Sequence, residues 1–230
     1  MKILLIAGHG DGDCGAVGCG YKEAELTREM VKLIKPYLDK YAEVTIADTK
    51  KNWYKYICKN GQKFDFKPYN YVLEIHFNAC VKDENGNGNT TGTEIYVTTM
   101  EKGTSVEEGI VNSISSLGLK NRGVKAKNWA LINHIKKQGV SSALLEVCFI
   151  DDADDMNVYT AKRNDIASAI AIAIADGFGL KKKEKNEMSI KDAKDILKNK
   201  VGLADETITF LECYKYGEDL IQKIAKAVGR

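Results

Sequence analysis

From residue 2 to residue 178 the chain alternates short apolar runs with amphipathic stripes. Lys2-Ile-Leu-Leu-Ile-Ala-Gly-His9 is an apolar run that stops on a histidine between two glycines, which predicts a buried strand delivering an imidazole at its end. Over residues 22–40, Leu26, Met30, Leu33, Ile34, Tyr37 and Leu38 recur at helical spacing. Glu23 lies on that inward stripe, whereas Glu25 aligns with Arg28, Glu29 and Lys32 on the polar side. Residues 42–47 alternate like a second strand, and 48–68 have no clean period and read as a short helix and loop. In the strand predicted over 71–77, Val72, Glu74 and His76 share one face while Tyr71, Leu73, Ile75 and Phe77 share the other.

Further along, 93–98 reads as a strand, and Ser105-Val-Glu-Glu opens a capped helix running to Gly118. Ser142-Ala-Leu-Leu-Glu146-Val-Cys-Phe-Ile repeats the strand device with a carboxylate near its end, and residues 163–178 form an Ala- and Ile-rich helix expected to be well buried. Two stretches read as loops. Lys82-Asp-Glu-Asn-Gly-Asn-Gly-Asn-Thr-Thr-Gly is solvated and flexible by composition and is placed to rim a substrate site; Asn121-Arg-Gly-Val-Lys-Ala-Lys is a basic, solvated turn.

Strands and helices in this order predict an α/β sandwich with a largely parallel sheet. Ligand sites in such sheets form at the carboxyl ends of strands, where His9, His76 and Glu146 fall. Near Leu180 the character changes: residues 181–187 are a charged linker, and 188–230 carry the stripes of three short helices. A segment of about forty residues without disulfides rarely folds alone, so it is expected to pack on the main domain or associate with copies of itself.

Composition narrows the chemistry. The chain has 230 residues and 44% hydrophobic positions, enough for one sizeable core and a small appendage. A net charge of +2 without a basic stripe argues against a nucleic-acid partner. The opening apolar run is shorter than the ~7–15 residues of a secretory signal, and none approaches the ~18 of a membrane span. The expectation is therefore synthesis in the cytoplasm without a signal peptide, and no membrane insertion. The six cysteines are scattered and are expected to be reduced, mostly as small core residues, with a thiolate ligand from Cys14 or Cys19 as the weaker alternative. Gly10 to Gly15 formally match a dinucleotide fingerprint, but no helix opens directly after them and Asp11 and Asp13 would repel phosphate. His134 has no partner motif and reads as a satisfied or surface histidine.

Hydrolytic zinc sites use three protein donors and keep one position exchangeable. His9, Glu23 and His76 supply such a set, and Glu146 is placed to act as general base on the attacking water and then as acid toward the leaving amine. Burial beside Leu144 and Cys148 would raise the Glu146 pKa, and a nearby cation would oppose that shift. Glu23 has a plainer reading as an acid at the positive end of its helix. Glu74 is either the partner that sets the His76 tautomer or part of a remote salt bridge.

At Ala7-Gly-His9-Gly with the following Gly-Ala-Val-Gly, Glu23-Ala-Glu-Leu-Thr-Arg, Glu74-Ile-His76-Phe-Asn-Ala, Gly92-Thr-Glu-Ile-Tyr, Asn121-Arg-Gly-Val-Lys and Leu145-Glu146-Val-Cys-Phe-Ile, the chain resembles the zinc-dependent N-acetylmuramoyl-L-alanine amidases of bacterial wall hydrolases and phage endolysins. The resemblance implies a zinc amidase catalytic domain over 1–180 with about six strands, a Zn2+ site of His9, Glu23 and His76, and Glu146 as the catalytic acid/base. Asn78, Arg122 and Lys125, in the same motifs, become candidates for substrate contact. The implied substrate is peptidoglycan, cut between muramic acid and the first L-alanine after release of the protein to the wall. Glu74 and Cys148 depart from the small residues common at their positions. The tail resembles small helical tails of clostridial-type phage amidases, with Tyr214 and Tyr216 either stacking on sugars or packed in a core. The alternatives are a zinc carboxypeptidase or other peptidase, and a non-catalytic wall-binding module.

Overall fold

In the computed structural model, which describes residues 1–183 and 188–228, strand β1 (Lys2–Ala7) buries every residue after Lys2, as an unbroken apolar run requires. A loop follows, closed by the two-residue strands β2 (Val17–Gly18) and β3 (Tyr21–Lys22). It delivers the chain into α1 (Glu23–Leu38), which buries Leu26, Met30, Ile34 and Leu38 of the predicted stripe, with Leu33 and Tyr37 partly buried at its margin and Val31 buried in addition.

Strands β4 (Glu43–Ile46) and β5 (Tyr71–Asn78) flank β1, both parallel to it. Beyond β5 lies β8 (Ser141–Phe149), also parallel, with His76 opposite Glu146. Strand β6 (Thr93–Val97) then pairs antiparallel with β8, setting Glu94 opposite Glu146, and β7 (Asn121–Ala126) completes the edge parallel to β6. The result is a six-stranded sheet of order β4-β1-β5-β8-β6-β7, the mostly parallel α/β architecture expected.

The predicted alternation of β5 decides what each face meets. Tyr71, Leu73, Ile75 and Phe77 enter the larger core with residues of α1, α2 (Ser105–Ser115) and α4 (Ala153–Gly177). Val72 faces the other side, with Trp53, Ile57 and Phe66 and with Leu131 and Ile135 of α3 (Ala130–Lys137). His134 of α3 is satisfied: its Nε2 lies 3.2 Å from Gln138 Nε2, and its ring meets Phe66 edge-on.

Several local expectations are corrected. The basic stretch 121–127 is not a solvated turn, because residues 121–126 form strand β7. Paired on one side only and half-buried along its length, this strand has no reason to alternate apolar with polar positions. Helix α4 begins at Ala153 rather than near residue 163, because Asp152 caps it, accepting from the amides of Asp154 and Asp155. A kink at Lys162 separates this acidic start from the apolar half. Thr104, not Ser105, is the N-cap of α2, without a side-chain capping bond.

The loop after Lys82 is held by acids of distant sequence: Asp152 accepts from Thr91 N, Asp154 from Asn87 and Gly88 N, and Asp155 from Gly92 N. Among the described residues only Cys148 is a buried cysteine; Cys14, Cys80 and Cys213 are exposed, and all six are free. Of the two in the glycine-rich loop, Cys14 is exposed and Cys19 packs partly buried against the larger core.

The chain divides into two compact units, Met1–Lys183 and Glu184–Arg230. Residues 184–187 of the predicted linker lie outside the described residues. In the second unit α5 (Ile190–Ile196) continues through a π-helical turn (Leu197–Val201), followed by α6 (Asp205–Glu212) and α7 (Gly217–Val228). Ala193, Leu197, Ile208, Ile221 and Ala225 make its core. Tyr214 and Tyr216 are 55% and 69% exposed, so the core reading of these two rings is wrong.

Candidate active site

Close packing of the two imidazoles and Glu23 against the backbone requires glycine at two positions. A side chain at Gly8 would stand 2.3 Å from His76 Cε1, and one at Gly15 (φ +67) would stand 2.7 Å from Glu23 Oε2 and 2.8 Å from His9 Cδ2. Helix α1 fastens the end of β1 from below. Thr27 Oγ1 and Arg28 Nη1 donate to the Gly8 carbonyl at 3.0 and 2.8 Å, and Arg28 Nη2 donates to the His9 carbonyl at 2.8 Å. Arg28 is thus not part of a solvated polar face, as its helical position suggests. It is half-buried and bound to main-chain oxygens.

Glu23, 4% exposed, stands between two imidazoles. Its Oε2 lies 3.0 Å from His9 Nε2 and accepts from Ala16 N; its Oε1 lies 2.9 Å from His76 Nδ1 and accepts from Phe77 N. The outer ring nitrogens meet carboxylates as well: His9 Nδ1 is 3.2 Å from Asp13 Oδ2, and His76 Nε2 is 3.0 Å from Glu74 Oε1. Glu74 is therefore a direct partner of His76 rather than a remote ion pair. Burial pulls both histidines toward lower pKa, but the contacts with Glu23, joined by Asp13 at His9 and Glu74 at His76, outweigh it and raise both. Burial pushes Glu23 upward, and its two histidines more than reverse this, holding it far below the usual carboxylate range.

One donor atom from each of His9, Glu23 and His76 lies within 4.8 Å of the others. Two imidazole nitrogens and a carboxylate oxygen converging in this way are a donor set suited to zinc, and Asp13 and Glu74 sit where groups that orient metal-binding imidazoles are found. Glu146 enters from the adjacent strand. Its Oε2 is shielded from solvent without a hydrogen-bond partner, an oxygen that fits a site meant to take up a water and a cation. Burial raises its pKa, His76 opposes, and Glu23, Glu94 and Glu74 add to the rise, leaving Glu146 at about 7.

Compared with known proteins, this geometry has a clear kinship: the model of the N-acetylmuramoyl-L-alanine amidase family matches residues 3–177. The chain belongs to this family. The endolysin of Bacillus phage SPP1 is 28% identical over 188 residues, covering 79% of this chain and 67% of that protein. The N-acetylmuramoyl-L-alanine amidase LytC of Bacillus subtilis is 27% identical over 179 residues, covering 76% of this chain but only 34% of LytC. Among solved structures, the amidase AmiC2 of Nostoc punctiforme superposes with a TM-score of 0.62 at 19% identity, covering 78% of this chain and 97% of that one. The CwlD amidase of Clostridioides difficile gives 0.61 at 18% identity, covering 77% and 98%. These two share the fold. The family match ends before the second unit begins.

In this amidase the other residues singled out from the sequence gather elsewhere. Asn78, Arg122 and Lys125 converge on Glu94, which is 1% exposed. Glu94 Oε1 accepts from Asn78 Nδ2 at 2.9 Å and from the Tyr96 hydroxyl at 2.7 Å, while Oε2 accepts from Arg122 Nε and Lys125 Nζ, both at 2.5 Å. Sequence reasoning missed Glu94, although it sits in the Gly92-Thr-Glu-Ile-Tyr motif. It also missed Trp129, 39% exposed beside the imidazoles, because one aromatic residue ahead of an amphipathic helix reads as core.

Proposed function

We propose that this amidase hydrolyses the amide between the lactyl group of N-acetylmuramic acid and the first L-alanine of the peptidoglycan stem, that it does so with zinc, and that it serves as an endolysin. The observation that carries the reading is the convergence of the His9, Glu23 and His76 donors beside the unpartnered Oε2 of Glu146. His9 and His76 would hold the ion through the nitrogens that face Glu23, and Glu23 through a carboxylate oxygen. Zinc, when bound, supplies Lewis acidity that polarises the amide carbonyl and makes water nucleophilic near neutral pH.

The remaining steps belong to the chain. Asp13 and Glu74 fix the two imidazole rings from outside, so that the inner nitrogens point at one spot. Glu146 Oε2 accepts a proton as water adds to the carbonyl carbon, and returns it to the alanine nitrogen as the carbon–nitrogen bond breaks. Burial moves the Glu146 carboxylate up toward the range that suits both directions of transfer, and a bound cation opposes that rise. The lytic role is supported by kinship with the phage endolysin. For the second unit we read wall targeting or self-association, on the exposed rings of Phe210, Tyr214 and Tyr216. No described helix is long and apolar enough to cross a membrane.

Incubation with purified peptidoglycan tests the reaction. New amino-terminal alanine supports the amidase, other new amino groups indicate a peptidase, and binding without release indicates a non-catalytic module. Glu146→Gln is expected to lower the rate by ~10²–10⁴ with zinc content unchanged; undiminished release would remove Glu146 from its role.

A further inference from the structure

Two cavities meet at the metal-binding triad, and they differ in character. The smaller, about 300 Å³, is walled by Ala16, Phe77, Ala79 and Leu144 and contains Glu146. The larger, about 660 Å³, is bordered by Tyr54 and Trp129 with Asp13, Asn52, Lys127 and Asn128. His9, His76, Trp129 and Leu144 line both, so the two cavities adjoin at the triad and offer separate room for the two halves of a substrate whose reacting carbon lies there.

We propose that the larger cavity is the saccharide subsite, with Trp129 and Tyr54 as its aromatic platform, and that the peptide half of the substrate leaves through the smaller cavity. The inference rests on the amide hydrolysis proposed above. Its polarity follows from the proton: the leaving nitrogen belongs to alanine and must meet Glu146, which lines only the smaller cavity. The small apolar side chains there suit an alanine methyl group. The acyl half, carrying the sugar, is then directed into the larger space. There two rings, 39% and 40% exposed, offer flat apolar faces for the C–H face of a pyranose, and amide, carboxylate and ammonium groups around them match hydroxyl and N-acetyl substituents.

Trp129 is held ready for this contact. Its backbone is the N-cap of α3, Lys127 Nζ lies 3.7 Å from its ring centroid, and Tyr96 meets the ring edge-on at 5.9 Å. A ring fixed by its own neighbours loses little freedom when a sugar arrives.

The other tryptophan, Trp53, is 3% exposed and gives a background that ligand does not reach, so an emission change that disappears in Trp129→Phe reports on Trp129. Full-length, zinc-loaded protein should show a saturable emission change with the peptide-free disaccharide of N-acetylglucosamine and N-acetylmuramic acid. By calorimetry, Tyr54→Ala, which alters the larger cavity alone, should weaken that disaccharide on the order of tenfold and leave the free alanyl stem peptide within about twofold, and Trp129→Ala should cost the disaccharide more than the peptide. Trp129→Phe should recover part of the loss, which separates stacking from misfolding. No emission change at millimolar disaccharide, or a loss in Trp129→Ala that falls on the peptide instead, overturns the assignment. Failure to release amino-terminal alanine would overturn the underlying reaction; release with an unresponsive Trp129 would overturn only the saccharide subsite.

Discussion

Glu23 and Glu94 are both almost fully buried carboxylates at the same end of the sheet, 4% and 1% exposed, and each binds four donors. The donors differ in kind. Glu23 faces two imidazoles, a group that can surrender its proton to a metal; Glu94 faces a guanidinium and an ammonium, which cannot offer a lone pair as they stand. Burial pushes both acids upward and their partners bring both below the ordinary value, so the electrostatics of the isolated groups are alike. What separates a site from a strut is whether the partner charge is exchangeable. Half-buried Glu146 and fully buried Asp155 complete the comparison: without a bonded cation they rise to about 7 and about 6.

The largest effect is expected at Glu23. Glu23→Ala should abolish stoichiometric zinc and alanine release together, measured by elemental analysis of the purified protein, while the sheet persists by circular dichroism. Retention of tight zinc would show that the imidazoles need no carboxylate and would dissolve the distinction from Glu94.

Glu94→Ala should do the reverse. It takes their shared acid from Arg122 and Lys125, which at 31% and 38% exposed can rehydrate, at a cost of about 2–3 kcal/mol in urea unfolding, with zinc content unchanged. Loss of zinc here would make Glu94 part of the metal centre rather than its neighbour.

The smallest expected effect concerns Asp155, an acid with neither sort of partner. Its folded pKa stands above the ordinary 3.8, so its contribution to stability is complete below that value and is lost as pH rises through about 6. The gap sets a ceiling of ~3 kcal/mol on that loss. Unfolding free energies compared with Asp155→Asn at pH 4 and pH 7 should diverge in this direction; equal differences at both values would mean that the amides of Gly92 and Phe149 fully offset burial.

Much of this was legible along the chain, because it depends on local order. The period of two in β5 and the helical stripe of α1 follow from side-chain direction alone. His9, His76 and Glu146 could be grouped because each ends or nearly ends an apolar strand, and Glu23 because it opens a helix on its inward face. Arg28 was misread because helical spacing describes neighbours within a helix and not the carbonyls of a turn packed beneath it. The Asp152 cap is invisible to helical spacing for a related reason: a cap lies outside the stripe and is defined by the amides of Asp154 and Asp155 that it satisfies.

The sequence by itself determined the alternation of elements, the mostly parallel sheet, and the residue types available at the strand ends. Tertiary structure alone decided which buried carboxylate meets which partner. Insertion of β6 beside β8 brings Glu94 across from Glu146 and lets Asn78 of β5 and Arg122 and Lys125 of β7 reach it. No periodicity encodes that pairing, since strand order is set by the burial of whole faces, and the charge state of each acid follows from where that packing leaves it.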